Sequence, residues 1–258
     1  MNIEESILQD ITDEYINSDT LLARSEWDTY EYNKLPVPRV TNIIKACNTN
    51  TEALLKWANS LGYRHKSHIK ERSVAATKGT IIHNSIEDFI KTGKLPNYNR
   101  LLYSDDIVLA VQNGVDGFIS FWGLYRYRND IDKISMEQTI VTPYFGGTYD
   151  MLITLKDGRN LLYDFKTSNN ITTTHFIQLS AYRYALQTYY NTHIDGVAIL
   201  KIDKNKPLCN EYFIDLNDTA NIGFINTCEK TFIGMLYTYY NMLNTQEQFN
   251  KIIKEIMV

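Results

Sequence analysis

The stretch YDMLITLKDGRNLLYDFKTS, residues 149–168, decides how this chain is read. Two short β-rich runs, 148–155 and 160–167, flank a Lys-Asp-Gly-Arg turn at 156–159, the signature of a hairpin. Side chains alternate along a strand, so Asp164 and Lys166 share one face while Tyr163, Phe165 and Thr167 take the other. With the two runs antiparallel, Asp150 lies at the far end of its strand, roughly opposite Lys166 and within cross-strand reach. One reading is an ion pair on a sheet rim. The other starts from the excess of acid: two carboxylates and one ammonium among aromatic side chains leave a negative charge that is costly to bury uncompensated. A divalent cation supplies the compensation. Oxygen ligands of this kind suit Mg²⁺ or Mn²⁺, which keep waters and accept phosphate oxygens. Such an ion with a neighbouring lysine is equipment for phosphodiester hydrolysis.

Working outward, KISMEQTIVT (133–142) and GGTYDMLITL (146–155) read as two strands preceding the one at 160–168, a three-stranded meander. A helix follows at THFIQLSAYRYALQTYY, then the strands GVAILKID and EYFIDL, then a long helix from about Asp218. Upstream, apolar residues recur at helical spacing from Val40 to about Thr92, and Ser104 with Asp105 and Asp106 announces another helix. This order predicts an α/β mixed sheet flanked by helices, with an N-terminal helical subdomain. We expect an acidic N-terminal arm at 1–32, helical or partly disordered, a helical subdomain at 33–130, and a core with a C-terminal helix at 131–258. His83 and Glu87 in KGTIIHNSIEDFI are four apart and share one helix face, as a surface pair or as part of a site. Gln178 and Tyr182 have the same spacing on the helix after the lysine strand. Glu137, in SMEQTIV, reads as a strand residue outside or beside any such site.

The 258 residues are 44% hydrophobic and contain no run approaching the ~18 uninterrupted apolar residues of a membrane span. The acidic start lacks the basic region of a signal peptide, so a cytoplasmic protein is expected, with no membrane partner. Cys47, Cys209 and Cys228 are isolated and lack metal-ligand spacing, which predicts reduced thiols and no zinc knuckle. The net charge of -4 hides a split: residues 1–32 carry nine acids against Arg24, whereas 33–100 carry twelve bases against four acids. Ordinary solvated helix faces give such a pattern, and so does a phosphate-tracking surface beside an acidic segment.

Taken in order, GTIIH with Glu87, GGTYD, YDFKTS and QLSAY resemble the RecB-like branch of the PD-(D/E)XK nuclease superfamily, whose pattern runs G-x-x-x-H, G-x-x-D, D-x-K-T, Q-x-x-x-Y. The resemblance covers about 79–186 and, more loosely, the stretch from VPRVTNII, where Arg39 replaces the usual Ser. It implies a restriction-endonuclease-like fold. It also implies a metal held by Asp150, Asp164, the Phe165 carbonyl and His83, with Lys166 acting on the attacking water and Gln178 and Tyr182 orienting Lys166 or the DNA backbone. Glu87 would hold a second metal through water or orient His83. The four cysteines of cluster-bearing relatives are missing, so no iron-sulfur cluster is carried over. DNA is the implied partner, single-stranded or with free ends. Trp57, Tyr63 and the basic run YRHKSHIKER (Arg64, Lys66, Lys70, Arg72), with Lys78 and Thr167, are the expected strand contacts. His65 and His68 in that run read as backbone contacts or surface. The rival expectation is a catalytically silent DNA-binding scaffold. The richness in Tyr, Asn, Ile and Lys suits an AT-rich genome such as a phage's.

Overall fold

The computed structural model describes residues 3–11, 29–48, 51–98 and 103–256. Its N-terminal elements are α1 (Ile3–Ile11), β1 (Thr29–Tyr32), β2 (Leu35–Pro38), α2 (Val40–Cys47), α3 (Thr51–Tyr63), α4 (His68–Thr92) and α5 (Asp105–Arg128). Then come β3 (Ile131–Val141), β4 (Gly146–Leu155), β5 (Asn160–Lys166), α6 (Thr173–Tyr189), β6 (Gly196–Ile202), β7 (Cys209–Asp215) and α7 (Thr219–Ile256).

The hairpin at 156–159 closes because Gly158 adopts φ 91° and Asp157 Oδ1 accepts from the Arg159 amide at 3.1 Å. The five strands lie in the order β3-β4-β5-β6-β7, and every neighbouring pair is antiparallel except β5 and β6. That parallel pair needs a crossover, and α6 provides it. Thr172 and His175 form a capping box at its start. The protein is therefore a mixed α/β sheet with helices on both faces, as the order of periodicities predicted.

Each face has its own apolar core. On one, Ile82 and Ile86 of α4 and Val111, Val115, Phe118 and Trp122 of α5 pack on Met151, Ile153, Phe165 and Leu200. On the other, α1, α2, α6 and α7 bring Ile11, Ile43, Ala181 and Phe232 against Leu162, Val197 and Ile199. The helix α5 is long and apolar enough to cross a membrane by length and composition. In the fold that apolarity is spent on the core, where Phe118, Trp122 and Tyr125 stand in a continuous aromatic stack.

The N-terminal region differs from its reading. Residues 29–38 form a hairpin, β1 with β2, so a boundary after residue 32 falls in its turn. Pro36 and Pro38 lie within β2. A two-stranded ribbon tolerates them because a proline need only face away from the ladder. An Arg39–Gly146 bridge fastens the hairpin to the end of β4. Helix α1 docks on α7 through buried Leu8 and Ile11. The rest of the expected acidic arm, 12–28, lies outside the described residues.

Candidate active site

The ladder between β4 and β5 runs from Thr154↔Asn160 to Met151↔Tyr163 and stops, although β4 continues to Gly146 and β5 to Lys166. Continuing that register sets Asp150 opposite Asp164, two residues short of the Lys166 expected from sequence. On the other side, the β3–β4 register pairs Met136 with Met151 and Gln138 with Tyr149, which leaves Glu137 facing Asp150. Three carboxylates thus form one row across three adjacent strands.

The backbone departs from a regular ladder here. Glu137 takes φ 49°, the left-handed region that carboxylate side chains enter rarely. Tyr149 packs with the α6/α7 core while Met151, two residues on, packs with the α4/α5 core, so the alternation breaks at Asp150. Where the strands part, Asp150 Oδ2 accepts from the Phe165 amide and takes the place of a ladder carbonyl.

Helix α4 delivers His83, whose Nδ1 lies 3.4 Å from Asp150 Oδ1 and whose ring meets Phe165 edge-on. Ligand atoms of His83, Glu137 and Asp150 all lie within 4.8 Å of one another, a set able to hold a metal ion. Asp164, 2% exposed, stands beside them with Lys166 Nζ 2.5 Å from its Oδ2. A carboxylate oxygen has two lone pairs, so Asp164 Oδ2 keeps acceptor capacity for a cation beside this ion pair. From α6, Gln178 Oε1 accepts from Lys166 Nζ at 3.1 Å, and Gln178 Nε2 donates to the Tyr182 hydroxyl at 3.0 Å. The phenol keeps its own proton for a further acceptor. All seven side chains line one cavity of about 420 Å³, closed on the opposite wall by Tyr30, Arg39, Thr41 and Thr148. Arg39 lies over the Tyr30 ring at 4.6 Å, and the Tyr30 hydroxyl meets Thr148 Oγ1 at 2.8 Å.

The electrostatics call for a cation. Burial pushes the Asp164 carboxyl up to about 6, with Lys166 offsetting part of the rise and the Asp150 charge adding to it. Burial followed by the Asp150 charge pushes Glu137 up to about 7. Burial would also raise Asp150, but the His83 hydrogen bond and the charges of His83 and Lys166 outweigh it and hold this carboxyl low. Burial works against protonation of His83, yet its hydrogen bond to Asp150 and the two aspartate charges raise it overall. The carboxylates compete for positive charge, which a divalent ion would supply.

The sequence reading placed Glu137 outside or beside the site; the structure places it within, opposite Asp150. The signal was available in the meander itself, since a tight connection between Val141 and Gly146 fixes that register. Glu87 pairs with Lys91, and His83 meets Asp150 instead, so the orienting contact from Glu87 to His83 is not formed. Thr167 lies close to α4 at Gly79, where a Cβ would be 3.1 Å from its Oγ1. Arg64, Lys66, Lys70 and Arg72 are exposed around the start of α4, at least eleven residues before His83, or about 16 Å and more along the helix. They do not reach the cavity. Tyr63 is exposed beside them, and the side chain of Trp57 lies outside the described residues. Lys78 is paired with Asp106 at 3.0 Å.

Gly147 marks where β4 passes closest to α6. A Cβ there would lie 2.3 Å from Tyr182 Cε1. Gly147→Ala is expected to push Tyr182 aside, break the Tyr182–Gln178–Lys166 chain and cost about 1–3 kcal/mol in urea unfolding. An unchanged midpoint would mean that α6 moves away freely.

No protein-family model matches the sequence, and no curated protein matches it. Among solved structures, SSO0001 is similar over 62% of this chain and 86% of its own, at 16% identity and a TM-score of 0.27. A phage-related exonuclease from Haemophilus somnus 129PT is similar over 82% of this chain and 96% of its own, at 14% identity and a TM-score of 0.35.

Proposed function

We propose that the protein is a metal-dependent DNA nuclease that hydrolyses phosphodiester bonds, acting as an exonuclease on single-stranded or frayed ends. The observation that carries this reading is the meeting of Asp150, Asp164, Glu137, His83, Lys166, Gln178 and Tyr182 in one cavity. A fold scaffold has no use for three adjacent carboxylates whose pKa values are driven apart, whereas a phosphate-cleaving site does.

His83, Glu137, Asp150 and Asp164 would hold Mg²⁺ or Mn²⁺, which when bound polarises the phosphate and lowers the pKa of water. The rest falls to the chain's own side chains. Lys166 has three N–H bonds. Gln178 takes one and Asp164 attracts a second, which leaves the third to meet the attacking water or a non-bridging phosphate oxygen. Water adds its oxygen to phosphorus and gives up one proton, the P–O ester bond breaks, and the departing alkoxide takes up one proton to end as a hydroxyl. The ammonium offsets the negative charge that grows on the phosphate in between. Gln178 fixes the ammonium, and Tyr182 fixes Gln178. Opposite them, Arg39 and Thr41 face the space a neighbouring nucleotide would occupy.

The test is end-labelled single- and double-stranded DNA incubated with Mn²⁺, Mg²⁺ or EDTA. A ladder of shortened products that EDTA abolishes is the expected result, and its direction gives the polarity. Intact DNA of both kinds in every metal would shift the reading to a DNA-binding scaffold.

A further inference from the structure

A second cavity, of about 250 Å³, opens at the opposite end of the β4–β5 hairpin, where the C-terminal end of α5 crosses β5 and β7. Its floor is polar inside an otherwise apolar core. Tyr163 is 1% exposed, and its hydroxyl lies 3.0 Å from the Tyr125 hydroxyl and 2.9 Å from Glu211 Oε1. A carboxylate only accepts and a phenol has one proton, so Tyr163 donates to Glu211 and Tyr125 donates to Tyr163. Both phenolic protons are thereby used, and the Glu211 carboxylate, which lines the cavity, keeps acceptor capacity beyond this one bond.

The walls are aromatic. Phe121 and Tyr125 stand with ring centroids 5.6 Å apart, and Phe213 on the edge strand is 42% exposed. At the rim are two guanidinium groups. Arg159 is held by Asp157 at 2.8 Å, while Arg128 pairs with no carboxylate among the described residues. The lining therefore combines an acceptor, aromatic surface and cations. The complementary molecule is a planar ring with N–H donors on one edge and an anionic group at the other end. The volume is below that of a drug-sized pocket and leaves room for a single base, with the anionic group at the opening.

We propose that this cavity binds a nucleoside monophosphate, with guanine nucleotides preferred. Guanine presents a ring N–H and an exocyclic amine side by side, which a carboxylate can accept together, whereas thymine offers one N–H. The ring packs between Phe121, Tyr125 and Phe213, and the phosphate meets Arg128. The choice of nucleotide as ligand rests on the nuclease reading, because mononucleotides are what an exonuclease releases. The cavity and its chemistry do not.

The test is a calorimetric titration of the full-length protein in EDTA with dGMP, dTMP and inorganic phosphate, paralleled by tryptophan emission. Trp122 stacks on Tyr125 at 5.6 Å and 8°, so a ligand against Tyr125 perturbs it. Single-site, submillimolar dGMP binding is expected, at least tenfold tighter than dTMP, with inorganic phosphate silent. Glu211→Gln should weaken dGMP at least tenfold and leave dTMP nearly unchanged, and Arg128→Gln should weaken both nucleotides. Glutamine still accepts from Tyr163, and an unchanged melting temperature would establish that the fold is kept. No saturable heat with dGMP at millimolar concentration overturns the proposal. So does binding that ignores both substitutions but disappears in Lys166→Met, which would place the nucleotide in the other cavity. Because EDTA removes cleavage from the measurement, dGMP binding by a protein that cuts no DNA would sink the nuclease reading alone.

Discussion

Lys166→Met is expected to lower DNA cleavage by roughly three orders of magnitude, the loss seen when one donor aimed at developing charge is removed. Methionine keeps the length of the side chain and most of its apolar packing while deleting the ammonium that Gln178 and Asp164 hold. Metal uptake should persist, because His83, Glu137 and Asp150 remain in place. Manganese binding followed by electron paramagnetic resonance, beside single-turnover cleavage, separates the two effects. Asp164→Asn should instead lose activity and metal affinity together. Lys166→Met leaves Asp164 buried without its cation, so a drop in melting temperature is expected with it. The Asp164→Asn/Lys166→Met double variant should regain much of that drop, since neither charge remains. Cleavage by Lys166→Met within tenfold of wild type would falsify the role assigned to the ammonium.

Glu137→Gln should move the protein in opposite directions with and without metal. Burial and the Asp150 charge raise this carboxyl to about 7 in the folded state, above its ordinary value. A raised acid contributes stability that is fully present below the unfolded pKa and lost as pH rises through the folded one. The metal-free wild type therefore carries the cost of an ionised Glu137 at pH 8 and little of it near pH 4.5. Glutamine removes the cost, so the EDTA-treated variant should be more stable than wild type at pH 8, with the advantage fading toward pH 4.5. The rise from 4.5 to about 7 sets a ceiling of about 3 kcal/mol, and solvent screening of this half-buried group reduces it to about 1 kcal/mol. With Mn²⁺ added the order should invert, because ligand binding stabilises in proportion to the logarithm of concentration over Kd. A ten- to hundredfold loss of Mn²⁺ affinity is expected. If Mn²⁺ stabilises both proteins equally, Glu137 is not a ligand.

Much of this arrangement was legible beforehand because periodicity and turn chemistry are local. The Lys-Asp-Gly-Arg turn, the alternation in YDFKT and the helical spacing of His83 and of Gln178 with Tyr182 each depend on a few adjacent residues. What escaped depends on relations between strands. Asp150 was placed opposite Lys166 because the turn residues alone do not fix the register, whereas the ladder opens at Thr154↔Asn160 and so sets Asp150 across from Asp164. Glu137 escaped because the β3–β4 register, which the tight Val141–Gly146 connection fixes, has to be counted across two strands to set it against Asp150. The basic run 63–72 was read from its charges and aromatics as a set of strand contacts, and its distance from the cavity is a matter of helix length. The 25-residue length of α4 carries it away from His83.

The row of Glu137, Asp150 and Asp164 makes the lengths of two connections as consequential as the residues themselves. A single codon inserted or lost between Val141 and Gly146, or between Leu155 and Asn160, would shift one acid out of line with the others and turn the following side chains to the wrong face. Substitution can trade one acid for another here, but a change of chain length cannot be compensated at any one position. The short connections of the meander are therefore a constraint on heredity of a separate kind, one of counting, whereas the turn between β6 and β7, which orders none of the three acids, is left outside it.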